Sequence, residues 1–122
     1  MEVISENRCF DGIQGVYKHR SEACQCDMTF GLFLPAEVRD QPVPVLWYLS
    51  GLTCTHENAM FKAGAQTWAA EQGIALIFPD TSPRGEAVAD NVAFDLGKGA
   101  GFYVNATQQP WAPHFQMWDY VA

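Results

Sequence analysis

Apolar and polar residues alternate over residues 24–34, CQCDMTFGLFL, where every even-numbered position is apolar. A period of two predicts a β-strand with one apolar and one mostly polar face, and Pro35 is placed to end it. Residues 15–19 are predicted to form a shorter strand that is its antiparallel neighbour.

A strand, a helix and a second strand are predicted next. Residues 43–49, VPVLWYL, form a continuous apolar run that is typical of a strand buried on both faces. Over residues 58–72 one helical face carries Phe61, Ala65, Trp68 and Ala69, and Gly73 is expected to end the helix. Residues 74–78, IALIF, predict a second buried strand. This order indicates a βαβ unit with parallel strands, so the predicted fold class is α/β.

The remaining residues have little periodicity. Residues 81–113 are rich in Gly, Pro and Asn, and a loop of this length inside a compact domain is usually functional. Residues 114–122 place Phe115, Trp118 and Ala122 at helical spacing and predict a helix. Because two parallel strands cannot cover both of their apolar faces, we expect these 122 residues to be the first part of a larger domain.

Composition and charge restrict the classes of partner. Hydrophobic residues make up 48% of the chain, as in a folded protein, and the formal net charge is −7. This charge argues against nucleic acid and anionic membranes as partners, because both would repel the chain. No apolar run reaches the roughly 20 residues of a membrane span, and the first ten residues lack the pattern of a signal peptide. We therefore expect a cytoplasmic protein whose four cysteines need not form disulfides.

Two motifs have a structural interpretation that we prefer. Cys24 and Cys26 are separated by one residue, fewer than structural zinc sites favour, and both lie on the apolar face of the predicted strand. We expect buried structural thiols, with metal binding or redox chemistry as the alternative. The sequence GKGAG at residues 97–101 lacks the dinucleotide-binding spacing, since Phe102 follows, and predicts a flexible or tight turn.

The loop at residues 50–55, SGLTCT, is the stronger candidate for chemistry. It follows a parallel strand at its carboxyl end, where open α/β sheets bind ligands, and backbone N–H groups near a helix start can stabilise an anion. Cys54 is close enough to that helix for its thiol pKa to be lowered, although a plain connecting turn is the alternative. No serine lies in a G-x-S-x-G motif, and the three histidines assemble no Ser-His-Asp triad.

Several longer blocks of the chain resemble the S-formylglutathione hydrolase family, also called esterase D. The resemblance extends over essentially the whole chain, and its blocks are CFDG at 9–12, MTFGLFLP at 28–35, LSGLTCTHEN at 49–58, KAGAQ at 62–66, PDTSPRG at 79–85, DLGKGAGFYVNATQQPWAPHF at 95–115 and MWDYV at 117–121. It implies an α/β-hydrolase fold and a serine thioesterase and carboxylesterase that hydrolyses S-formylglutathione to formate and glutathione during formaldehyde detoxification. It also implies that no metal and no organic cofactor is needed.

The resemblance assigns roles to a few residues. It implies that the backbone N–H of Leu52 is one oxyanion donor, with Gly51, Thr53 and Cys54 beside it, and that Trp111 lies near the site in a family signature segment. The family's nucleophile lies in a G-H-S-M-G-G elbow, followed by Asp and His, and none of this triad is present. We therefore expect residues 1–122 to be the N-terminal part of a single α/β-hydrolase domain that ends before the elbow.

The expected function thus belongs to the complete protein, and the chain alone is expected to be inactive. Its expected partners are a small thioester or ester substrate and either a second copy, as in a homodimer, or the missing C-terminal part of the domain. A non-catalytic fragment or interaction module is the main alternative. A weaker alternative makes Cys54 itself the nucleophile.

Overall fold

The computed structural model describes residues 1–122 and contains one five-stranded mixed sheet. The strand order is β1-β2-β3-β5-β4, with antiparallel pairing throughout except between β4 and β5, which are parallel. The strands are β1 Glu2–Cys9, β2 Gly12–Ser21, β3 Cys26–Leu34, β4 Val45–Trp47 and β5 Ala75–Pro79. The helices are α1 His56–Lys62, α2 Gln66–Gln72 and α3 Met117–Val121, and a short 3-10 helix spans Ala36–Arg39. The predicted antiparallel opening and parallel strand pair are therefore confirmed.

Strand β3 is covered on both faces, which corrects the prediction of one polar face. Cys26 and Met28 are buried on one face and pack with residues that include Met117. Phe33, on the face predicted to be polar, is fully buried against residues of α1, α2 and β5. The alternating sequence pattern did not predict this because each face of β3 is covered at a different end of the strand.

The prediction that residues 43–49 are buried on both faces is wrong. Only Val45–Trp47 are strand, and Val45, Leu46 and Trp47 are 52%, 45% and 46% exposed. The reason is positional, since β4 is an edge strand that hydrogen-bonds to β5 on one side only.

The single helix predicted over residues 58–72 is two helices, α1 and α2, separated by residues 63–65. Gly64 within this break has a left-handed φ of +65°. The predicted buried face is also wrong for its two aromatic residues, because Phe61 is 64% exposed and Trp68 is 48% exposed. Gly73 does end α2, with φ +66°, as predicted.

The end of the chain is helical, but its buried residue is not the predicted one. In α3 Met117 is 1% exposed whereas Trp118 is 61% exposed, so the proposed stripe is wrong at Trp118 and at the exposed Ala122. Phe115, just before the helix, does pack against the core cluster that contains Met117. Residues 81–113 contain no helix and no named strand, as predicted.

The two cysteines near the start of β3 are buried, as predicted. Cys24, in the turn before β3, is 0% exposed and Cys26 is 6% exposed. None of the helices has the length and apolar character that crossing a membrane requires.

Candidate functional site

Residues 51–54 form a tight turn between β4 and α1. The Cys54 N–H donates to the Gly51 carbonyl oxygen at 3.1 Å, which closes the turn. Thr53 has a φ of +66°, a left-handed conformation that is rare for a β-branched residue. Thr55 then caps α1, since its side chain accepts from the Glu57 N–H. A strained residue inside a hydrogen-bonded turn is typical of functional sites, where the surroundings enforce the conformation.

The turn leaves one central amide group unpaired. Thr53 N–H donates to the Gly99 carbonyl oxygen at 2.8 Å and Cys54 N–H is bonded within the turn, whereas Leu52 N–H donates to no backbone carbonyl. The Leu52 side chain is 41% exposed, so the residue lies at the surface. An unpaired N–H on a fixed turn can donate to an anionic oxygen without breaking an existing hydrogen bond.

The glycine loop 97–101 packs directly against turn 51–54. Three of its glycines have left-handed φ angles, which are +84° at Gly97, +82° at Gly99 and +77° at Gly101. A Cβ at Gly101 would lie 2.9 Å from the Gly51 carbonyl carbon and 3.0 Å from the Leu52 nitrogen. The prediction of a tight turn is confirmed, and its glycines permit two backbones to approach each other at the site.

A polar network after β5 holds the end of turn 51–54. Arg84 Nε lies 3.0 and 2.9 Å from the two carboxylate oxygens of Asp80, and Arg84 Nη2 donates to the Cys54 carbonyl oxygen at 3.0 Å. The Thr81 hydroxyl donates to the same carbonyl oxygen. These residues were not predicted to belong to the site. Their position could have indicated it, because PDTSPRG lies at the carboxyl end of β5, which shares a sheet edge with the carboxyl end of the parallel strand β4.

Tyr103 holds the start of the turn. Its hydroxyl donates to the carbonyl oxygen of Ser50, a residue that is 7% exposed. Burial, followed by the nearby charges of Asp80 and Cys54, raises the pKa of Tyr103 to about 12. The phenol therefore stays protonated, and remains a donor to Ser50, throughout the neutral range.

Two cavities lie beside the turn. One of about 290 Å³ is lined by Trp111 together with residues of the glycine loop, including Gly101. The other, of about 470 Å³, is lined by residues that include Gly51 and Cys54. The structure thus brings Gly51, Leu52, Thr53 and Cys54 together in one turn, whereas Trp111 lies in the neighbouring cavity, which meets the turn through Gly101.

The thiol and the imidazole at the start of α1 differ in their surroundings. Cys54 is half-buried, and its proposed role as a nucleophile stays a prediction. His56 Nδ1 is buried without a hydrogen-bond partner, and burial lowers the pKa of His56 despite the opposing charges of Asp80 and Glu57. His19 is hydrogen-bonded to the Tyr120 hydroxyl.

The chain is similar to esterases of known sequence and structure. Residues 21–122 match the family described as "Putative esterase". The chain is 70% identical over 120 residues to an S-formylglutathione hydrolase from Paracoccus denitrificans (strain Pd 1222), a match that covers 98% of this chain and 43% of that protein. It superimposes with a TM-score of 0.97 on an S-formylglutathione hydrolase from Agrobacterium tumefaciens, at 49% identity, covering 99% of this chain and 44% of the other.

A more distant structure supports the fold alone. An S-formylglutathione hydrolase from Staphylococcus aureus superimposes with a TM-score of 0.50 at 19% identity, covering 72% of this chain and 35% of its own. The mixed sheet and its helices thus have the architecture of α/β-hydrolase-fold esterases, as the resemblance implied. The chain spans less than half the length of each of these three relatives.

Proposed function

We propose a function from the premise that this chain belongs to the esterase family. In this proposal residues 1–122 are the N-terminal part of a single α/β-hydrolase domain. The complete protein is a serine thioesterase and carboxylesterase that hydrolyses S-formylglutathione to formate and glutathione, a step in formaldehyde detoxification. Its reaction needs no metal and no organic cofactor.

The observation that carries the proposal is the unpaired N–H of Leu52 in a fixed turn, within a chain 70% identical to an S-formylglutathione hydrolase. The hydroxyl of a serine supplied by the rest of the domain would attack the thioester carbonyl carbon while its proton passes to the triad histidine, and the carbonyl oxygen would become an oxyanion. The Leu52 N–H would donate to that oxygen. Collapse of the intermediate would expel the thiolate and leave a formyl-serine, which water would then hydrolyse.

The neighbouring residues have supporting roles in this proposal. Gly51, Thr53 and Cys54 would set the direction of the Leu52 N–H through the hydrogen bonds of the turn. Trp111 would line the part of the site that receives the substrate, since it lies in the cavity that shares Gly101 with the turn. The four free cysteines are typical of a reducing compartment and support a cytoplasmic location.

The proposal is tested by a hybrid chain that joins residues 1–122 to the part of the Paracoccus protein outside the match. We expect the hybrid to hydrolyse S-formylglutathione and a chromogenic acetate ester, and we expect a serine-directed fluorophosphonate to abolish both activities. The 122-residue chain alone should hydrolyse neither substrate above the buffer rate. A correctly folded hybrid without activity would contradict the proposal.

The role of Leu52 has its own test in the hybrid. Leu52→Pro deletes the N–H, and proline is well accepted at the second position of a turn whose third residue has a positive φ. We expect kcat to fall by about 10²–10³, the cost of losing one oxyanion donor, with little change in KM. Leu52→Ala is the matched control, because it keeps the N–H, and its kcat should stay within about threefold.

A non-catalytic role as an interaction module is the second candidate, and the exposed apolar edge strand β4 favours it. In that case the correctly folded hybrid would show no ester hydrolysis that a fluorophosphonate inhibits. A cysteine nucleophile at position 54 would instead make activity sensitive to Cys54→Ser, whereas we expect esterase activity of the hybrid to survive this change largely intact.

A further inference from the structure

The backbone on the C-terminal side of Leu52 is tied to residues that follow β5. The Cys54 carbonyl oxygen accepts from Arg84 Nη2 at 3.0 Å and also from the Thr81 hydroxyl. Thr53 N–H donates to the Gly99 carbonyl oxygen at 2.8 Å. The position of the Leu52 N–H is therefore set by contacts from outside its own turn.

The direction of the Arg84 guanidinium is fixed by a carboxylate. Arg84 Nε lies 3.0 and 2.9 Å from the two oxygens of Asp80, whose side chain is 8% exposed. The Thr81 N–H donates to Asp80 Oδ1 at 2.7 Å, which fixes the carboxylate in turn. Because Nε holds the carboxylate, Nη2 remains free to reach the Cys54 carbonyl oxygen and the Thr81 hydroxyl, at 3.0 and 3.2 Å.

We propose that the Asp80–Arg84 ion pair positions the Leu52 N–H for its task as oxyanion donor, an inference that rests on the proposed function. Neither side chain donates to the oxyanion, so both are positioning residues. An oxyanion donor has to lie about 2.7–3.1 Å from the oxygen, and small displacements of the donor reduce the rate steeply. The Arg84 contact with Cys54 limits such displacement.

The ion pair also stabilises the fold, so its two roles must be separated by experiment. Arg84→Met would leave the carboxylate of Asp80 buried without its partner, which is strongly destabilising. The double variant Asp80→Asn/Arg84→Met removes this buried charge, and we expect it to regain most of the melting temperature. It does not restore the contact with the Cys54 carbonyl oxygen, so the displaced turn should persist.

In the hybrid chain we expect both variants to lower kcat by about tenfold or more, with KM changed less than about threefold, because an oxyanion donor acts mainly in the transition state. Arg84→Lys keeps the charge but has a single donor nitrogen, and its kcat should be higher than that of Arg84→Met. Arg39→Met is the matched control, since Arg39 Nη2 also donates to a backbone carbonyl, that of Asp11 at 2.8 Å, and its kcat should be unchanged. If kcat of the double variant recovers together with its melting temperature, the ion pair is only structural and the inference is wrong.

The hybrid chain also provides a measurement that does not depend on activity. Amide hydrogen exchange should be about tenfold faster or more at Thr53 and Cys54 in the double variant, with Phe78 in the core unchanged. Unchanged exchange at Thr53 and Cys54 would overturn the inference. An inactive unsubstituted hybrid would contradict the proposed function instead, and the catalytic role of the pair would fail with it even where the exchange result holds.

Discussion

Replacing Gly101 by Ala tests whether the close approach of the glycine loop shapes turn 51–54. A Cβ at this position would lie 2.9 Å from the Gly51 carbonyl carbon and 3.0 Å from the Leu52 nitrogen. Both contacts are with backbone, which cannot rotate away as a side chain would. The turn therefore has to shift, and the Leu52 N–H shifts with it.

The expected loss in the free energy of unfolding follows from comparing two glycines that share a backbone conformation. Gly101 has φ +77° and Gly64 has φ +65°, but a Cβ at Gly64 would meet nothing within 4 Å. Left-handed backbone costs an alanine about 1–2 kcal/mol, and the lower entropy of the unfolded chain offsets about 0.4–1 kcal/mol of this. Gly64→Ala should thus cost about 0–1.6 kcal/mol, whereas forced overlap at Gly101 adds about 1–3 kcal/mol.

The assay is urea unfolding of the two variants of the hybrid chain, followed by tryptophan fluorescence, with the free energy of unfolding compared at a common m-value. In the hybrid chain Gly101→Ala should also lower kcat, whereas Gly64→Ala should leave kcat unchanged. Equal free energies of unfolding for the two variants would refute the reasoning, because the contact with Gly51 and Leu52 is the term in which they differ.

Four further predictions concern the helix cap, the core, a thiol and an imidazole. Thr55→Ala removes the capping box of α1 and should lower the free energy of unfolding by about 0.5–2 kcal/mol in urea titration; no loss would contradict it. Phe33→Ala should cost about 3–5 kcal/mol in the same assay, since Phe33 is 0% exposed, and a loss below about 1 kcal/mol would contradict its core role. Burial raises the pKa of Cys24 to about 11, so the Cys24 thiol stays protonated and unreactive at pH 8. Iodoacetamide should therefore modify the half-buried Cys54 more than about tenfold faster than it modifies Cys24, and equal rates by mass spectrometry would refute this. Burial lowers the pKa of His56 below its ordinary 6.5, so the unfolded chain binds this proton more readily than the folded chain, and stability is lost as the pH falls below about 6.5. Between about pH 7.5 and 5 the His56→Gln variant should therefore lose less free energy of unfolding than the unsubstituted chain. An identical loss in the two chains would contradict the prediction.

The sheet could be predicted from the sequence where a strand is interior and both of its faces are covered, because such a strand is apolar throughout. Residues 74–78 are apolar because β5 lies between β3 and β4, with helices packed over it, and this strand was predicted within one residue of its bounds. The αL conformation of Gly73 was likewise predictable, because a glycine after a helical segment is the usual way to end it. The break at Gly64 was not, since the apolar spacing of residues 58–72 continues across it.

The candidate site could be predicted only in part. Its location at the carboxyl end of a parallel strand follows from the fold class, and the role proposed for Leu52 is implied by the family resemblance. Its supports come from residues 27 and more positions away, such as Arg84 on the Cys54 carbonyl oxygen and Tyr103 on that of Ser50. Such contacts have no local signature, because a backbone carbonyl accepts from any donor that the fold brings near.

The exposed strand β4 and the unpaired N–H of Leu52 have a common explanation under the proposed function. Both lie along one stretch of chain, residues 45–52, in which apolar side chains are roughly half exposed and a backbone donor has no acceptor. An apolar run of this kind is suited to an interior strand, and the related hydrolases contain more than twice as much chain as the matched part. The remainder of the domain would have to supply a cover for β4 and a serine opposite Leu52. If the remainder of the domain supplies both when it packs on β4, burial of this apolar strand provides the free energy that brings the serine to the oxyanion donor. The hybrid chain should then gain stability and esterase activity together.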